Sequence, residues 1–356
     1  MNKPKASIER SIKTSVIFLL LASFQIVPAR NCLAQTEEHE PLFERLLKDF
    51  KKDYLSLGAL LQTVGDFQVD RSFAGNNGFN ISNFRIVLYG ELDKSFGYFL
   101  QTNFIKSPAI LDAKLYYRFS KFVAIDAGLF KSPFSAEFLI GAANIDFVNR
   151  SQVVTLLAPG RQIGVQLRGS LSQKPISYQV GLFNGNGFDG NNNDNNKFLY
   201  AGRLTFHPVL SDPSSRLEFG LNLAYSEDDN ATIGSGFVPG FNGERLLIGG
   251  DTRWTLGRYL ISSEIIYGNL DPSSGLSSEM VGFHTTLGYM LNDKNQLLFR
   301  TDNFDPDRLG TDSHLIIFGY NYWPTKATEI QVNYIINTDK TDIDHHQLLI
   351  NAQISF

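Results

Sequence analysis

The sequence of 356 residues contains one cysteine, Cys32. A single cysteine cannot form an internal disulfide or a cysteine-ligated metal site, so the fold is expected to rely on neither. The apolar run Val16–Val27 is shorter than the ~20 residues that a transmembrane helix needs. The chain also lacks a nucleophile elbow, a P-loop and a dinucleotide-binding fingerprint, so no motif indicates an enzyme, a cofactor or a bound metal.

The N-terminus has the features of an export signal. Basic residues up to Lys13 precede the apolar run, and Cys32 and Ala34 then provide small residues for cleavage, with cleavage after Ala29 as the alternative. We therefore predict a signal peptide over residues 1–34 and an exported mature chain.

The predicted mature chain is acidic. Five of the 32 basic residues but only one of the 36 acidic residues lie within positions 1–34, so the remainder carries an excess of eight acidic residues. This excess argues against nucleic acid as a partner. Length alone would permit two domains, but no linker-like, proline-rich or serine-rich boundary follows residue 57.

Residues 35–56 are strongly charged and precede the main fold. Leu42, Leu46, Phe50 and Tyr54 share one face of a helix when the segment is read at a period of 3.6 residues. We expect a short amphipathic helix on the periplasmic side, either as a solvated leader or as a plug.

From position 57 to the end, apolar and polar residues alternate. At the C-terminus, Leu348, Ile350, Ala352, Ile354 and Phe356 alternate with mostly polar neighbours. Such alternation indicates β-strands with one apolar and one polar face. Both soluble β-sandwiches and membrane barrels contain strands of this kind, so alternation alone does not separate them.

The number of strands and the lengths of their connections favour a membrane barrel. Short connections such as 93–95 and 257–258 interleave with long ones such as 130–162 and 227–245, as periplasmic turns interleave with outer loops. We predict an all-β, 16-stranded antiparallel transmembrane β-barrel over 57–356. We expect such a barrel to lie in the outer membrane of a Gram-negative bacterium, in contact with lipid and lipopolysaccharide. The predicted strands lie near 57–68, 81–92, 96–104, 110–117, 123–129, 163–169, 176–183, 198–208, 215–226, 246–256, 259–270, 278–290, 295–304, 313–323, 327–337 and 346–356.

The connection at 130–162 (the long loop) is too apolar to be disordered and too long for an ordinary turn. We predict that it folds into the barrel as the third outer loop. Its charged residues then become candidates for a channel constriction, where opposed charges would orient passing solutes. Alternatively, Lys131 and Arg150 tie the loop to the wall. The four candidates are Lys131, Glu137, Asp146 and Arg150.

The same region contains a set of distinctive motifs. They are GLFKSPF at 128–134, Glu137-Phe138, Phe147, Asn149-Arg150 and LAPGRQIGVQL at 157–167, with FRIVLYGEL at 84–92 and ILDAKLYYRF at 110–119 upstream. With these motifs the chain resembles the phosphate- and polyphosphate-selective porin O and P family. The resemblance implies a 16-stranded barrel, usually a homotrimer, with an inward third loop at a narrow eyelet. It also implies passive diffusion of small hydrophilic solutes, including anions such as phosphate or polyphosphate.

Phosphate-specific members of the family line the pore with a ladder of arginines. On the predicted lumen face of this chain, basic and acidic residues are nearly equal in number, so the solute and the preferred charge stay open. The basic candidates for lining the lumen are Arg85, Lys114, Arg168, Arg203, Arg253 and Arg300.

Two other functions stay open: a barrel-embedded enzyme or specific ligand-binding barrel, and a soluble secreted β-protein. His284, on the predicted lumen face, has no apparent serine–acid arrangement around it. The asparagine-rich run at 189–197 imitates a calcium loop but lacks the glycine and the final glutamate, which favours a flexible outer loop. His345 and His346 are adjacent on a strand edge and cannot readily share a metal.

Overall fold

The computed structural model describes residues 55–68, 77–120, 122–171, 174–187, 193–340 and 342–356. The predicted signal peptide lies outside these residues, as does the predicted helix within 35–56 apart from positions 55 and 56. Positions 189–192 of the asparagine-rich run lie outside them too. Within the described ranges, no helix has the length and apolar character needed to cross a membrane.

Sixteen antiparallel strands form one closed barrel. Each strand pairs with its neighbours in sequence, and the ring closes where β1 pairs with β16, with Leu61 opposite Ile354. The predicted fold class and number of strands are confirmed. The strands are β1 (Ser56–Gln68), β2 (Gly78–Glu91), β3 (Phe96–Asn103), β4 (Ile110–Ser120), β5 (Val123–Lys131), β6 (Arg161–Ser170), β7 (Ile176–Phe183), β8 (Leu199–Phe206), β9 (Arg216–Ile233), β10 (Val238–Leu256), β11 (Tyr259–Pro272), β12 (Ser278–Asn292), β13 (Asn295–Asp305), β14 (Ser313–Thr325), β15 (Thr328–Asn337) and β16 (Gln347–Ser355).

The pattern of burial shows which face of the wall is apolar. In β9, Leu221 and Leu223 are 65% and 55% exposed, whereas Asn222 between them is 4% exposed. A soluble β-sandwich would bury the leucines instead, because its core lies between two apolar sheet faces. The outer surface of the closed barrel is therefore apolar and its inner surface polar, as a bilayer requires.

The prediction of an outer loop at 227–245 is wrong, because β9 and β10 continue through most of this segment as a paired hairpin. The strands reach Ile233 and start again at Val238, with a 3₁₀ turn between them. The segment looks like a loop in the sequence because it is rich in acidic residues. One of these, Asp228, is buried and forms an ion pair with Arg245 at 3.0 Å, so the paired strands accommodate its charge.

Of the long loop predicted at 130–162, residues 132–160 lie between the end of β5 and the start of β6, and its two ends belong to these strands. Ser135 begins its first helix, and the Ser135 hydroxyl accepts a hydrogen bond from the backbone N–H of Phe138 at 3.0 Å. The elements of the loop are α1 (Ala136–Leu139), a 3₁₀ turn (Ala142–Asn144) and α2 (Gln152–Leu157).

The main apolar core packs between the long loop and inward-facing side chains of β7 to β13. Val153 and Leu157 of α2 are fully buried. Gly282 of β12 makes room for this helix, because a Cβ atom there would lie 2.6 Å from the Cβ of Val153. The wall contributes Phe183, Leu199, Ala201, Ala224, Leu247, Ile266, Leu270, Met280 and Phe304, among others, to this core.

The tip of the β9–β10 hairpin packs over α2. Gly234, with a φ of +59°, lies so close to Leu156 that a Cβ atom would be 2.3 Å from the Leu156 carbonyl oxygen. Phe237 packs edge-on against Phe304 of β13, with 5.6 Å between the ring centroids. Protein therefore occupies the lumen beside β7 to β13.

Candidate functional site

Glu137 of α1 joins the long loop to the barrel wall. Its Oε1 accepts a hydrogen bond from Arg300 Nη2 of β13 at 2.6 Å, and its Oε2 accepts from the backbone N–H and the hydroxyl of Ser151 at 2.8 and 2.7 Å. The Glu137 N–H donates to Glu264 Oε2 of β11 at 3.1 Å. Glu137 is 7% and Arg300 1% exposed, so this contact is buried behind the loop.

Asp146 makes a second charged contact with the wall. Its two carboxylate oxygens accept hydrogen bonds from the Arg253 guanidinium of β10 at 2.7 and 2.8 Å. This paired geometry fixes the direction of both side chains as well as their distance. The Asp146 carbonyl oxygen also accepts from Asn321 Nδ2 of β14 at 2.9 Å.

A row of side-chain amides binds the middle of the long loop. These amides lie on the inner faces of β1 and β14 to β16, and most of them are less than 6% exposed. Backbone groups of a buried loop need such partners, because water does not reach them. The contacts are Gln62 to the carbonyl of Ala142, Gln353 to Ala143, Gln331 to Ile145, Asn321 to Asp146, and the N–H of Val148 to Asn333.

Lys131 and Arg150 bind backbone carbonyl groups of the long loop. Lys131 Nζ donates to the carbonyls of Phe138 and Ile140 at 2.5 and 2.8 Å. Arg150 donates to the carbonyls of Glu137 and Ile140 at 3.1 and 2.6 Å. Among the residues that the structure describes, neither forms an ion pair with an acidic side chain, so backbone carbonyl groups are their main partners.

Three more basic residues lie near this pair. Arg161, at the start of β6, forms an ion pair with Asp112 of β4 at 3.0 Å. Arg85 of β2 donates to Asn83 Oδ1 at 2.9 and 2.6 Å. Lys106 lies in the connection between β3 and β4, close enough to interact with Arg85, Arg161 and Arg150. We call Arg85, Lys106, Lys131, Arg150 and Arg161 the cationic cluster.

The charges of the cationic cluster act on one another. Partial enclosure and the nearby guanidinium groups of Arg85, Arg161 and Arg150 lower the pKa of the Lys106 ammonium below its ordinary value. Burial lowers the pKa of Arg150 as well; the Glu137 carboxylate opposes this shift and Arg161 adds to it. Both shifts express the cost of crowding positive charge where water is limited.

The remaining basic candidates have acidic partners. Lys114 and Arg168 share Asp126, at 3.3 and 2.8 Å. Arg203 binds Asp251 and also contacts Glu218 at 3.1 Å. These charges are compensated locally, in contrast to those of Lys131 and Arg150.

Sequence reasoning named three members of the cationic cluster among its site candidates: Arg85, Lys131 and Arg150. For Arg161 it weighed a place at the constriction against a structural role and favoured the structural role, and it did not identify Lys106. The inner-wall amides were also missed as loop contacts. Their signal was present, since Gln331, Asn333 and Gln353 occupy the polar positions of alternating segments.

Comparisons with known proteins agree with this architecture. The family model described as phosphate-selective porin O and P matches residues 60–253. The match contains the long loop and all five residues of the cationic cluster, and it extends well beyond the residues that carried the resemblance. A search of curated proteins gave no match.

Solved structures with a similar fold are porins and other outer-membrane proteins. An anion-selective porin from Comamonas acidovorans is 11% identical with a TM-score of 0.62, over 85% of this chain and 99% of that one. The trimer form of OmpT from Vibrio cholerae is 12% identical with a TM-score of 0.57, over 85% and 99%. The outer membrane channel DcaP of Acinetobacter baumannii is 12% identical with a TM-score of 0.56, over 85% and 97%.

The family match spans more than half of the chain, and the closed barrel of 16 strands is the fold of these neighbours. Family and fold point to an outer-membrane channel for small solutes rather than to an enzyme. This chain belongs to the phosphate-selective porin O and P family.

Proposed function

We propose that this protein is a passive porin in which the cationic cluster favours the passage of small anions. The observation that carries the proposal is the imbalance of charge at the cluster. Five basic side chains lie there, and among the described residues Asp112 is the one acidic group that forms an ion pair with any of them. Fixed charge around a narrow aqueous path selects ions of the opposite sign.

The arrangement of the long loop supports a path beside the cationic cluster. Apolar side chains fill the lumen between α2 and β7 to β13. Arg85 and Arg161 belong to β2 and β6, outside the part of the wall that this core covers. Lys131 and Arg150 bind carbonyl groups of the long loop near these two residues. We infer that Lys131 and Arg150 line the constriction, while Glu137 and Asp146 fix the loop that forms it.

The preferred solutes are then small hydrophilic anions, with phosphate and polyphosphate as the class suggested by the family. Arg253, Arg203, Lys114 and Arg168 would line the lumen as compensated pairs, which add little net attraction for either sign. Arg300 would contribute indirectly, because it holds Glu137 behind the long loop. No cofactor or energy source is needed, because solutes diffuse down their gradients.

The surroundings of the proposed porin follow from the family and the fold. We propose a homotrimer in the outer membrane of a Gram-negative bacterium, in contact with lipid and lipopolysaccharide. One of the similar structures, OmpT, is a trimer form. The predicted signal peptide at residues 1–34 would direct export.

Single-channel recording in a planar lipid bilayer tests the proposed function. The purified protein should give ohmic current steps in potassium chloride, and added phosphate or pyrophosphate should block them partially. Conductance without any effect of either anion would contradict the anion preference. A silent protein that shows hydrolase activity would instead favour the barrel-embedded enzyme.

A further inference from the structure

His284 of β12 is buried against the long loop without a hydrogen bond. The side chain is 2% exposed, and its two ring nitrogens are without a hydrogen-bond partner among the described residues. Its Nε2 lies 3.6 Å from Glu137 Oε2 of α1 and 3.9 Å from Glu264 Oε2 of β11. Two carboxylates therefore face one imidazole inside the barrel.

The groups around His284 carry more negative than positive charge. Glu137 faces it from α1, Glu264 from β11, and Asp302 and Arg300 from β13. Three carboxylates thus stand against one guanidinium. The nearby bases Arg253 and Arg203 are already paired with Asp146 and Asp251.

The hydrogen bonding of this group of side chains is incomplete. Glu264 Oε1 and Arg300 Nη1 have no hydrogen-bond partner among the described residues. The small cavity that they line with His284 has room for about one water molecule. In a buried site with surplus carboxylates, a proton on the unbonded imidazole reduces the net negative charge.

The two carboxylates beside His284 also hold the long loop. Glu264 Oε2 accepts the N–H of Glu137, and Glu137 Oε2 accepts the N–H and hydroxyl of Ser151. The same loop supplies the carbonyl of Ile140, where Lys131 and Arg150 meet. A change in the charge of His284 can therefore affect the positions of Lys131 and Arg150 through the backbone of α1.

We propose that His284 is a positioning residue whose protonation holds the long loop in place, so that spontaneous closures of the channel depend on pH. A protonated imidazole attracts both Glu137 and Glu264 and strengthens the attachment of α1. Loss of that proton removes the attraction, and the loop leaves its position more often. Histidine ordinarily changes charge between about pH 5 and 8, so the attachment is strongest at the acidic end of that range. The inference rests on the proposed channel function.

Single-channel recordings of the full-length protein at the two ends of that range test the inference. In the wild-type protein, closures should be several-fold more frequent at the alkaline end than at the acidic end. In His284→Gln, which cannot gain a proton, the closure frequency should be equal at both ends. The matched control is His207→Gln, because His207 is solvent-exposed at the periplasmic end and contacts Glu218; this variant should keep the wild-type pH dependence.

A second variant keeps the test decisive if His284→Gln does not assemble. Glu264→Gln retains the imidazole but removes one of its two carboxylates, and it should reduce the ratio of the two closure frequencies at least two-fold. The inference is overturned if the wild-type ratio is one, or if His284→Gln or Glu264→Gln keeps the wild-type ratio. A wild-type protein that forms no channel would contradict the proposed function, a result distinct from a channel with pH-independent closures.

Discussion

Arg300 Nη2 donates a hydrogen bond to Glu137 Oε1 at 2.6 Å and joins two residues that are 163 positions apart in the chain. Both side chains are buried, and the Arg300 guanidinium also lies over the Phe147 ring, with 4.3 Å between the guanidinium carbon and the ring centroid. This pair connects β13 to the helix that begins the long loop.

Removing Arg300 should release the long loop. Breaking a buried ion pair by removing one partner costs about 3–5 kcal/mol, because the remaining charge is left without compensation. We expect Arg300→Met to assemble as a barrel but to show a noisier single-channel current with more frequent closures. The double variant Glu137→Leu with Arg300→Met leaves no unpaired charge and should recover part of the steady current. Equal noise in both variants would contradict the assigned role of the pair.

Glu137 should give the loop resistance to moderately acidic solution. Burial raises the pKa of its carboxyl, but the charges of Arg300 and His284 and the hydrogen bonds from Ser151 outweigh it and bring the pKa to about 2. A depressed pKa contributes stability that is present above the ordinary value of 4.5 and is lost as the pH falls through about 2. Conductance should therefore stay steady at pH values just below 4.5 and become noisy only towards 2. Glu137→Gln should lack that acid transition, and a wild-type transition near 4.5 would contradict the prediction.

Gly282 should be intolerant of a side chain. A Cβ atom there would lie 2.6 Å from the Cβ of Val153, so Gly282→Ala must displace α2. Overpacking of this kind typically costs about 1–3 kcal/mol. The matched control is Gly250→Ala in β10, where the nearest atom, on Ile265, would be 3.9 Å away. Heat-induced unfolding followed by circular dichroism should show a lower midpoint for Gly282→Ala than for Gly250→Ala; equal midpoints would mean that α2 is not tightly seated.

The sequence specified the barrel wall well because each strand has a local signal. Polar Asn222 between Leu221 and Leu223 already shows a strand with one apolar face. The extension of β9 and β10 was missed, since Asp228 reads as a loop residue until Arg245 is known to pair with it. Local pattern cannot reveal a partner in the next strand.

The site was only partly predictable. Lys131 and Arg150 stood out because charged residues are rare in an apolar loop. The partners of that loop were not evident, since Glu137 and Arg300 are distant in sequence and the wall amides resemble ordinary lumen residues. Lys106 was missed because its short connection gave no sign that it approaches Arg85 and Arg161.

Reversal potential across a potassium chloride gradient tests the central claim most directly. If Lys131 and Arg150 line the constriction, the reversal potential of the wild-type channel should lie between zero and the chloride equilibrium potential. The double variant Lys131→Glu with Arg150→Glu should move it towards the potassium equilibrium potential at low salt, where screening is weakest. A control with Lys94→Glu and Lys326→Glu, two exposed positions on short turns between strands, carries the same change in net charge and should stay near the wild type. Equal reversal potentials in the wild type and the constriction variant would contradict the claim that the cationic cluster selects the permeating ion.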